Sequence, residues 1–340
     1  MKIVVLAGGT STERFVSLIS GMQIYKALKS KGHETVLLDV YLGYDGPDAD
    51  HIFTVEKDWS EGIEAVSTEN PDLEKIKALR KDGGKCFFGP NVIEICKQAD
   101  VVFMALHGAC GEDGRIQAAL ELYGIPFTGT DYLSSAIAMD KALTKELLTA
   151  KGIPMAKGFS MEVDGEIKEI GYPAVVKVNT GGSSVGVYMV SDEKELKEAL
   201  KKASAFDHRV VVEEFIDGRE FTCGVIDGKA LPVVEIAPSE GFYDYTNKYQ
   251  PGKTKDTCPA DLPADKTAEI QAVAEKVFTA LRLRAYARID FMMNRQGDIF
   301  CLEANTLPGM TPVSLLPMEA AAVGMDFPAL CEKLIEVSLK

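Results

Sequence analysis

The stretch ARIDFMMNRQGDIFCLEANTLPGMTPVSLLP, residues 287–317, decides how the chain is read. Residues 288–292 and 299–305 each alternate polar with apolar side chains, and Asn294-Arg295-Gln296-Gly297 between them is a turn signal. The stretch is therefore predicted to form a β-hairpin. Side chains alternate across a strand, so Arg288 shares a face with Asp290, and Glu303 with Asn305. Packing Ile289, Phe291, Phe300, Leu302 and Ala304 into a core would gather those four polar groups on the other side. Carboxylates brought that close repel unless a cation lies among them. An oxygen-only donor set suits Mg²⁺ or Mn²⁺ rather than zinc. The plainer alternative is a solvated hairpin face. Against it stand Pro308 and Gly309, which follow in a polar loop that would expose backbone N–H groups.

At 340 residues the chain exceeds one small core, and two or three domains are expected. A hydrophobic share of 46% with 26% charged residues is ordinary for a soluble globular protein. No apolar run is long enough to span a bilayer, and the opening MKIVVLAGG turns glycine-rich too soon for a signal peptide. A cytoplasmic location is expected. The seven cysteines are odd in number, scattered and without a C-x-x-C pair, which argues against a disulfide framework or a zinc site. A formal net charge of −14 disfavours nucleic acid and anionic membrane as partners. An anionic ligand would have to be held by local lysines and backbone dipoles.

Working outward, residues 2–6 read as a buried strand, 12–31 as a helix stopped by Gly32, and 35–40 as a second strand, a βαβ opening. The Ala7-Gly8-Gly9-Thr10-Ser11 turn before the helix could hold an anion, although it is not G-x-G-x-x-G. Glu13 follows Thr10 at the spacing of a capping box, a purely structural alternative. Residues 41–95 offer little beyond a helix over 72–81. A strand over 99–106 ends at His107, where open α/β sheets place ligand-binding groups, although a lone histidine there is more often structural. A turn at 111–114 leads into a helix over 115–123. A second region begins near Thr130, with a helix over 141–151 stopped by Gly152 and Pro154. A strand over 173–178 carries Lys177 and runs into Asn179-Thr180-Gly181-Gly182-Ser183-Ser184-Val185-Gly186, then a strand over 187–190. Such a glycine-rich hairpin can lay backbone N–H groups on phosphates, and it is not a Walker loop. A helix over 193–203 and strands over 209–214, 221–226 and 230–236 follow. The loop GFYDYTNKY, residues 241–249, suits a lid over a substrate. Helices over 264–281 and 327–337 complete the pattern.

Taken together, GGTSTERFVSL, ALHGACGEDG, FTGTDYLSSAIAMDK, GGSSVG, EEFIDGREF, FYDYTNKY, RIDFMM and LEANTLPGMTPVSL resemble, in order, the motifs of the D-alanine–D-alanine ligases of the ATP-grasp superfamily. The resemblance covers most of the chain apart from roughly residues 41–96. It implies an α/β (α+β) architecture, an ATP-grasp fold preceded by a Rossmann-like N-terminal domain. The implied domains are residues 1–129, 130–213 and 214–340. It further implies ATP-dependent joining of two D-alanines for peptidoglycan precursors, with two Mg²⁺ (or Mn²⁺) ions, and a homodimer. Carried over residue by residue, Lys141 and Lys177 would hold ATP phosphates with Ser184 in the covering loop. Glu213, Phe215, Ile216 and Glu220 would receive adenine and ribose. Asp290, Glu303 and Asn305 would bind the metal ions. Arg288 and the Gly309 N–H would form the oxyanion site. Glu13 would meet the first D-alanine in a set with Ser183 and Tyr249. His107, Lys248, Ser314 and Leu315 would frame the second.

Four features depart from the family pattern. Phe15 stands where an acidic residue is usual, Val178 where proline is common, Thr180-Gly181 replaces a more charged pair, and Ala109-Cys110 a glycine-rich one. Tyr249 is absent from relatives that make D-alanyl-D-lactate, so it favours an amine as second nucleophile. The alternatives are a related carboxylate–amine ligase taking D-serine or another amino acid, or a nucleotide-binding module without catalysis. The intact Asp290, Glu303, Asn305 and Arg288 speak against the module.

Overall fold

A computed structural model of the chain describes residues 1–63, 71–182, 185–238 and 254–340. Lys2–Ala7 (β1) is buried from Ile3 onward, as a central parallel strand must be. Arg14–Ser30 (α1) carries the chain to Glu34–Asp39 (β2), which pairs parallel with β1. Leu73–Ala78 (α2), capped by Asp72, is shorter than the helix expected over 72–81. Val92–Cys96 (α3) is a short helix that no sequence pattern marked. Val101–Met104 (β3) then pairs parallel with the other edge of β1, giving the order β2-β1-β3.

Arg115–Leu122 (α4) follows the glycine turn as expected. Tyr132–Met139 (α5) was not expected, and its burial explains why: Ser134 and Ser135 face inward while Tyr132 and Leu133 are exposed. Polar-out patterning therefore misleads there. Lys141–Ala150 (α6) starts where predicted, with the Asp140 side chain accepting the Leu143 N–H at 2.8 Å as its N-cap.

Gly158–Glu162 (β4), Ala174–Val178 (β5), Val187–Val190 (β6), Glu193–Ala203 (α7) and Arg209–Glu214 (β7) build a second, antiparallel sheet in the order β4-β7-β5-β6. Gly218–Ile226 (β8), Lys229–Ala230 (β9), Val234–Pro238 (β10), Thr254–Thr257 (β11), Ala264–Ala280 (α8), Tyr286–Asn294 (β12) and Ile299–Asn305 (β13) form the third unit. Its sheet runs β11-β10-β8-β12-β13, with β9 paired to β8. Leu315–Ala322 (α9) and Phe327–Ser338 (α10) close the chain.

The hairpin β12–β13 forms as predicted, with one correction. Asp290 pairs with Glu303, but Phe291 pairs with Cys301, so Leu302 is an extra residue in a β-bulge. The bulge reverses the parity of the strand before it. Ile299 and Cys301, not Phe300 and Leu302, enter the apolar core with Ile289, Phe291 and Ala304. Leu302 turns instead toward the cleft described below.

One apolar cluster fixes the first unit to the third. Val5, Ile24, Leu28 and Phe103 pack with Tyr286, Leu316, Leu330 and Leu334 in a single buried group. Burying each such side chain contributes about 1.5–3 kcal/mol, so the parallel sheet and the hairpin sit in one frame.

Candidate active site

On the face of β12 and β13 away from the core of Ile289, Phe291 and Ala304, Asp290 is the hub. It accepts Arg288 Nε at 3.0 Å and Arg288 Nη2 at 2.9 Å, the Thr222 hydroxyl at 2.6 Å, and Asn305 Nδ2 at 2.9 Å. Both Arg288 and Asp290 are largely shielded from solvent, where a bidentate ion pair is strong. Glu303 stands directly opposite Asp290 in the register and faces the Lys141 ammonium at 3.6 Å. Among the described residues no three His, Cys, Asp or Glu side chains converge as a metal cage. The donor set here is two carboxylates and the oxygen of an amide whose N–H is spent on Asp290. Mg²⁺ typically takes one or two carboxylates and completes its shell with water and phosphate oxygens, so the set fits such an ion.

The second and third sheets enclose a cleft of about 740 Å³. Val175, Val187 and Met189 line one wall, Met292 and Leu302 the other, and Phe215 and Ile216 the segment that connects β7 to β8. Apolar walls with polar groups at one end are what a flat heteroaromatic ligand with a charged tail requires. The polar end holds Lys141, Lys177, Glu213, Glu220, Asp290 and Glu303. Glu213, expected to receive adenine and ribose, is buried with Lys145 Nζ at 2.7 Å from one oxygen and Lys177 Nζ at 2.7 Å from the other. Burial opposes its charge, yet Lys177 and Lys145 outweigh that and hold the carboxyl below its usual range. Burial likewise opposes the Lys177 charge, and Glu213, Glu303 and Glu220 together raise its pKa. Lys145, unmarked in the sequence, is thus part of this polar end.

The glycine-rich hairpin is stitched to α6. Asn179 accepts the Lys141 N–H through its carbonyl at 3.1 Å and the Ala142 N–H through its side chain at 2.9 Å. Lys141 Nζ donates to the Gly181 carbonyl at 2.6 Å. Two of the departures from the family pattern have a local account. The Val178 N–H donates to the Gly186 carbonyl at 3.1 Å, a bond proline could not make. Thr180 donates through both its N–H (2.8 Å) and its hydroxyl (2.7 Å) to Asp207. Cys110 adopts φ 66°, the left-handed region that a glycine-rich loop enters more easily.

The parallel-sheet unit contributes the remaining wall. Glu13 is itself the N-cap position of α1 and its side chain makes no capping bond, so the Thr10 capping box is not realised. Its carboxylate instead reaches the meeting point of two loops. A Cβ placed on Gly108 or on Gly182 would come within 2.8 and 2.9 Å of Glu13 Oε2. His107 is buried, with Nδ1 3.0 Å from the Leu307 carbonyl and Nε2 3.3 Å from the Ser20 hydroxyl. Nδ1 must therefore carry the proton. The Ser20 oxygen accepts the Met310 N–H at 3.2 Å, which ties α1, the end of β3 and the Gly309 loop into one relay. Burial pulls the His107 ring below its ordinary range, although Glu13 works the other way. Glu112 makes a second tie, accepting the Gly108 N–H at 2.7 Å and the Leu307 N–H at 3.3 Å. Burial, and then the Glu13 charge, push its acid up to about 8. The sequence marked this residue only as part of a turn.

Ser314 lies beside Gly309 and accepts the Thr311 N–H at 2.9 Å. Leu315 packs into a small apolar cluster with Val234 and Ile236. Phe15 is half-buried on α1. Ser183, Ser184, Lys248 and Tyr249, with the lid expected over 241–249, lie outside the described residues. No described helix is long and apolar enough to cross a membrane.

Two family models match the chain, D-ala D-ala ligase N-terminus over residues 2–130 and D-ala D-ala ligase C-terminus over 148–336. A D-alanine–D-alanine ligase of Pediococcus pentosaceus is 46% identical over 98% of this chain and 97% of its own. That of Lacticaseibacillus casei is 42% identical over 100% and 96%. The crystal structure of the Bacillus anthracis D-alanine–D-alanine ligase superposes with a TM-score of 0.77 at 33% identity, covering 100% of this chain and 97% of that one. The same enzyme complexed with ATP gives 0.77 at 32% identity, with the same coverage. By these likenesses and by its three sheets, the chain belongs to the D-alanine–D-alanine ligase family and has its ATP-grasp fold.

Proposed function

We propose that this enzyme joins two D-alanines into D-alanyl-D-alanine at the expense of ATP, for cell-wall precursor synthesis. The observation that carries the proposal is the convergence, at the polar end of one apolar cleft, of Lys141, Lys177, Asp290 and Glu303. A carboxylate is a poor electrophile and has to be activated before an amine can displace an oxygen from it. In this mechanism a carboxylate oxygen of the first D-alanine attacks the ATP γ-phosphorus, ADP leaves, and an acyl phosphate forms. The amine of the second D-alanine then attacks the carbonyl carbon, inorganic phosphate departs, and the amine proton is lost to solvent.

The residues divide the work. Lys141 and Lys177 bind the transferring phosphates, and the hairpin that ends in Gly186 covers them. Phe215, Ile216 and the apolar walls receive adenine, with Glu213 and Glu220 on its polar side. Asp290, Glu303 and Asn305 would hold two Mg²⁺ or Mn²⁺ ions, and such ions would neutralise phosphate charge. Arg288 and the Gly309 N–H receive the oxyanion, worth about 2.7–4 kcal/mol per donor in comparable sites. Glu13, with Ser183 and Tyr249, orients the first D-alanine. His107, Lys248, Ser314 and Leu315 shape the second pocket. Residues 1–129, 130–213 and 214–340 act as three domains, and the enzyme works in the cytoplasm as a homodimer. The test is ATP-dependent phosphate release across single D- and L-amino acids and D-hydroxy acids. D-Alanine should be preferred throughout, and a preference for D-lactate or D-serine as second substrate would overturn the assignment.

A further inference from the structure

Glu319 on α9 is fully buried. A buried carboxyl needs a reason, because leaving its polar atoms unmatched costs about 1–3 kcal/mol. Glu319 Oε1 accepts the Gly224 N–H at 2.8 Å, whereas Oε2 has no hydrogen-bond partner among the described residues. Gly224 lies on β8 directly opposite Arg288 on β12. It is also the place where the outer edge of β8 changes partner, between its pairing with β10 and its pairing with β9. Its N–H is thus open to a side chain. Glycine is required there: a Cβ would stand 2.4 Å from Glu319 Oε2 and 2.7 Å from Leu316 Cδ1. Arg288 and Asp290 both act on the Glu319 acid, the first drawing it down and the second pushing it up, under a burial effect that dominates.

The oxyanion site assigned above draws its two donors from different elements. Arg288 stands on β12, and Gly309 sits in the loop that leads through Ser314 into α9. We propose that Glu319 is a positioning residue for amine attack, which by clamping α9 to β8 opposite Arg288 sets the spacing between the Arg288 guanidinium and the Gly309 N–H. This rests on the ligase reading and deepens it. Apolar contacts of Leu316 and Ala320 hold α9 on the sheet, but they tolerate sliding, whereas one hydrogen bond to a fixed strand N–H does not.

The experiment compares phosphate released with dipeptide formed in the purified full-length chain and in Glu319→Gln, Glu319→Leu and Gly224→Ala. Wild type should release one phosphate per dipeptide. Glu319→Gln keeps an acceptor for the Gly224 N–H and should stay coupled. Glu319→Leu loses the clamp, and Gly224→Ala displaces it sterically. In both, amine attack slows while acyl phosphate still forms, so the ratio of phosphate to dipeptide should rise about tenfold or more while KM for ATP holds. A purely structural role would lower thermal stability and leave the ratio at one. Either Glu319→Leu or Gly224→Ala, folded and still coupled, overturns the proposal. If wild type itself makes no dipeptide, the ligase reading falls instead, a result distinct from a coupled variant.

Discussion

Arg288 and Asp290, two residues apart on one strand, form a two-point ion pair at 3.0 and 2.9 Å inside the protein. Thr222 and Asn305 occupy the same carboxylate. Removing one partner of such a pair leaves an uncompensated charge. Asp290→Ala is expected to lower unfolding free energy by about 3–5 kcal/mol, measured by urea titration, and to abolish dipeptide synthesis. Wild-type stability in this variant would contradict the role of Asp290 as hub.

Glu213, held between Lys145 and Lys177, makes stability depend on pH at the acid end. Its folded pKa is depressed, so its contribution is present above the ordinary carboxylate range and is lost as pH falls through the folded value. Thermal midpoints recorded from neutral to acid pH should fall more steeply for wild type than for Glu213→Gln. Glu213→Gln should also raise KM for ATP, since both lysines lose their shared anchor.

Glu112 acts in the opposite sense. Its folded pKa is raised to about 8, so the folded state holds a proton that the unfolded chain gives up at lower pH. The stabilisation from this group therefore declines as pH climbs from the carboxylate range toward about 8. Glu112→Gln does not titrate but keeps a single side-chain oxygen as acceptor for the Gly108 and Leu307 N–H groups, so its stability relative to wild type should rise from pH 5 to pH 8, by thermal melts at both. Parallel pH profiles for the two proteins would remove Glu112 from the account.

Gly186 arches over Val178. It has φ 77°, and a Cβ there would stand 2.6 Å from a Val178 methyl. Gly186→Ala should cost about 1–3 kcal/mol of local strain and raise KM for ATP more than it changes affinity for D-alanine. Unchanged ATP kinetics would show that the glycine-rich hairpin does not cover the phosphates.

Much of this was legible from residue order because the signals are local. Period-2 alternation revealed β12 and β13, and Gly32 marked the end of the first crossover helix. What escaped was non-local. Lys145 and Glu213 are 68 residues apart, and His107 and Leu307 200 apart, so neither pairing leaves a mark in any window of sequence. The bulge at Leu302 defeated the parity argument because one inserted residue reverses every side chain beyond it. Glu319 sits in a short helix, LLPMEAAA, beside a run of alanines, where a surface position would be the ordinary expectation. The single register that puts it against Gly224 appears only in three dimensions.

The central claim is that a carboxylate is phosphorylated before the amine attacks it. D-Alanine labelled with ¹⁸O in its carboxylate tests this directly, with the oxygen isotopes of released phosphate read by mass spectrometry. The mechanism predicts one labelled oxygen in each inorganic phosphate formed with dipeptide. Phosphate that carries no label, alongside normal dipeptide yield, would contradict it.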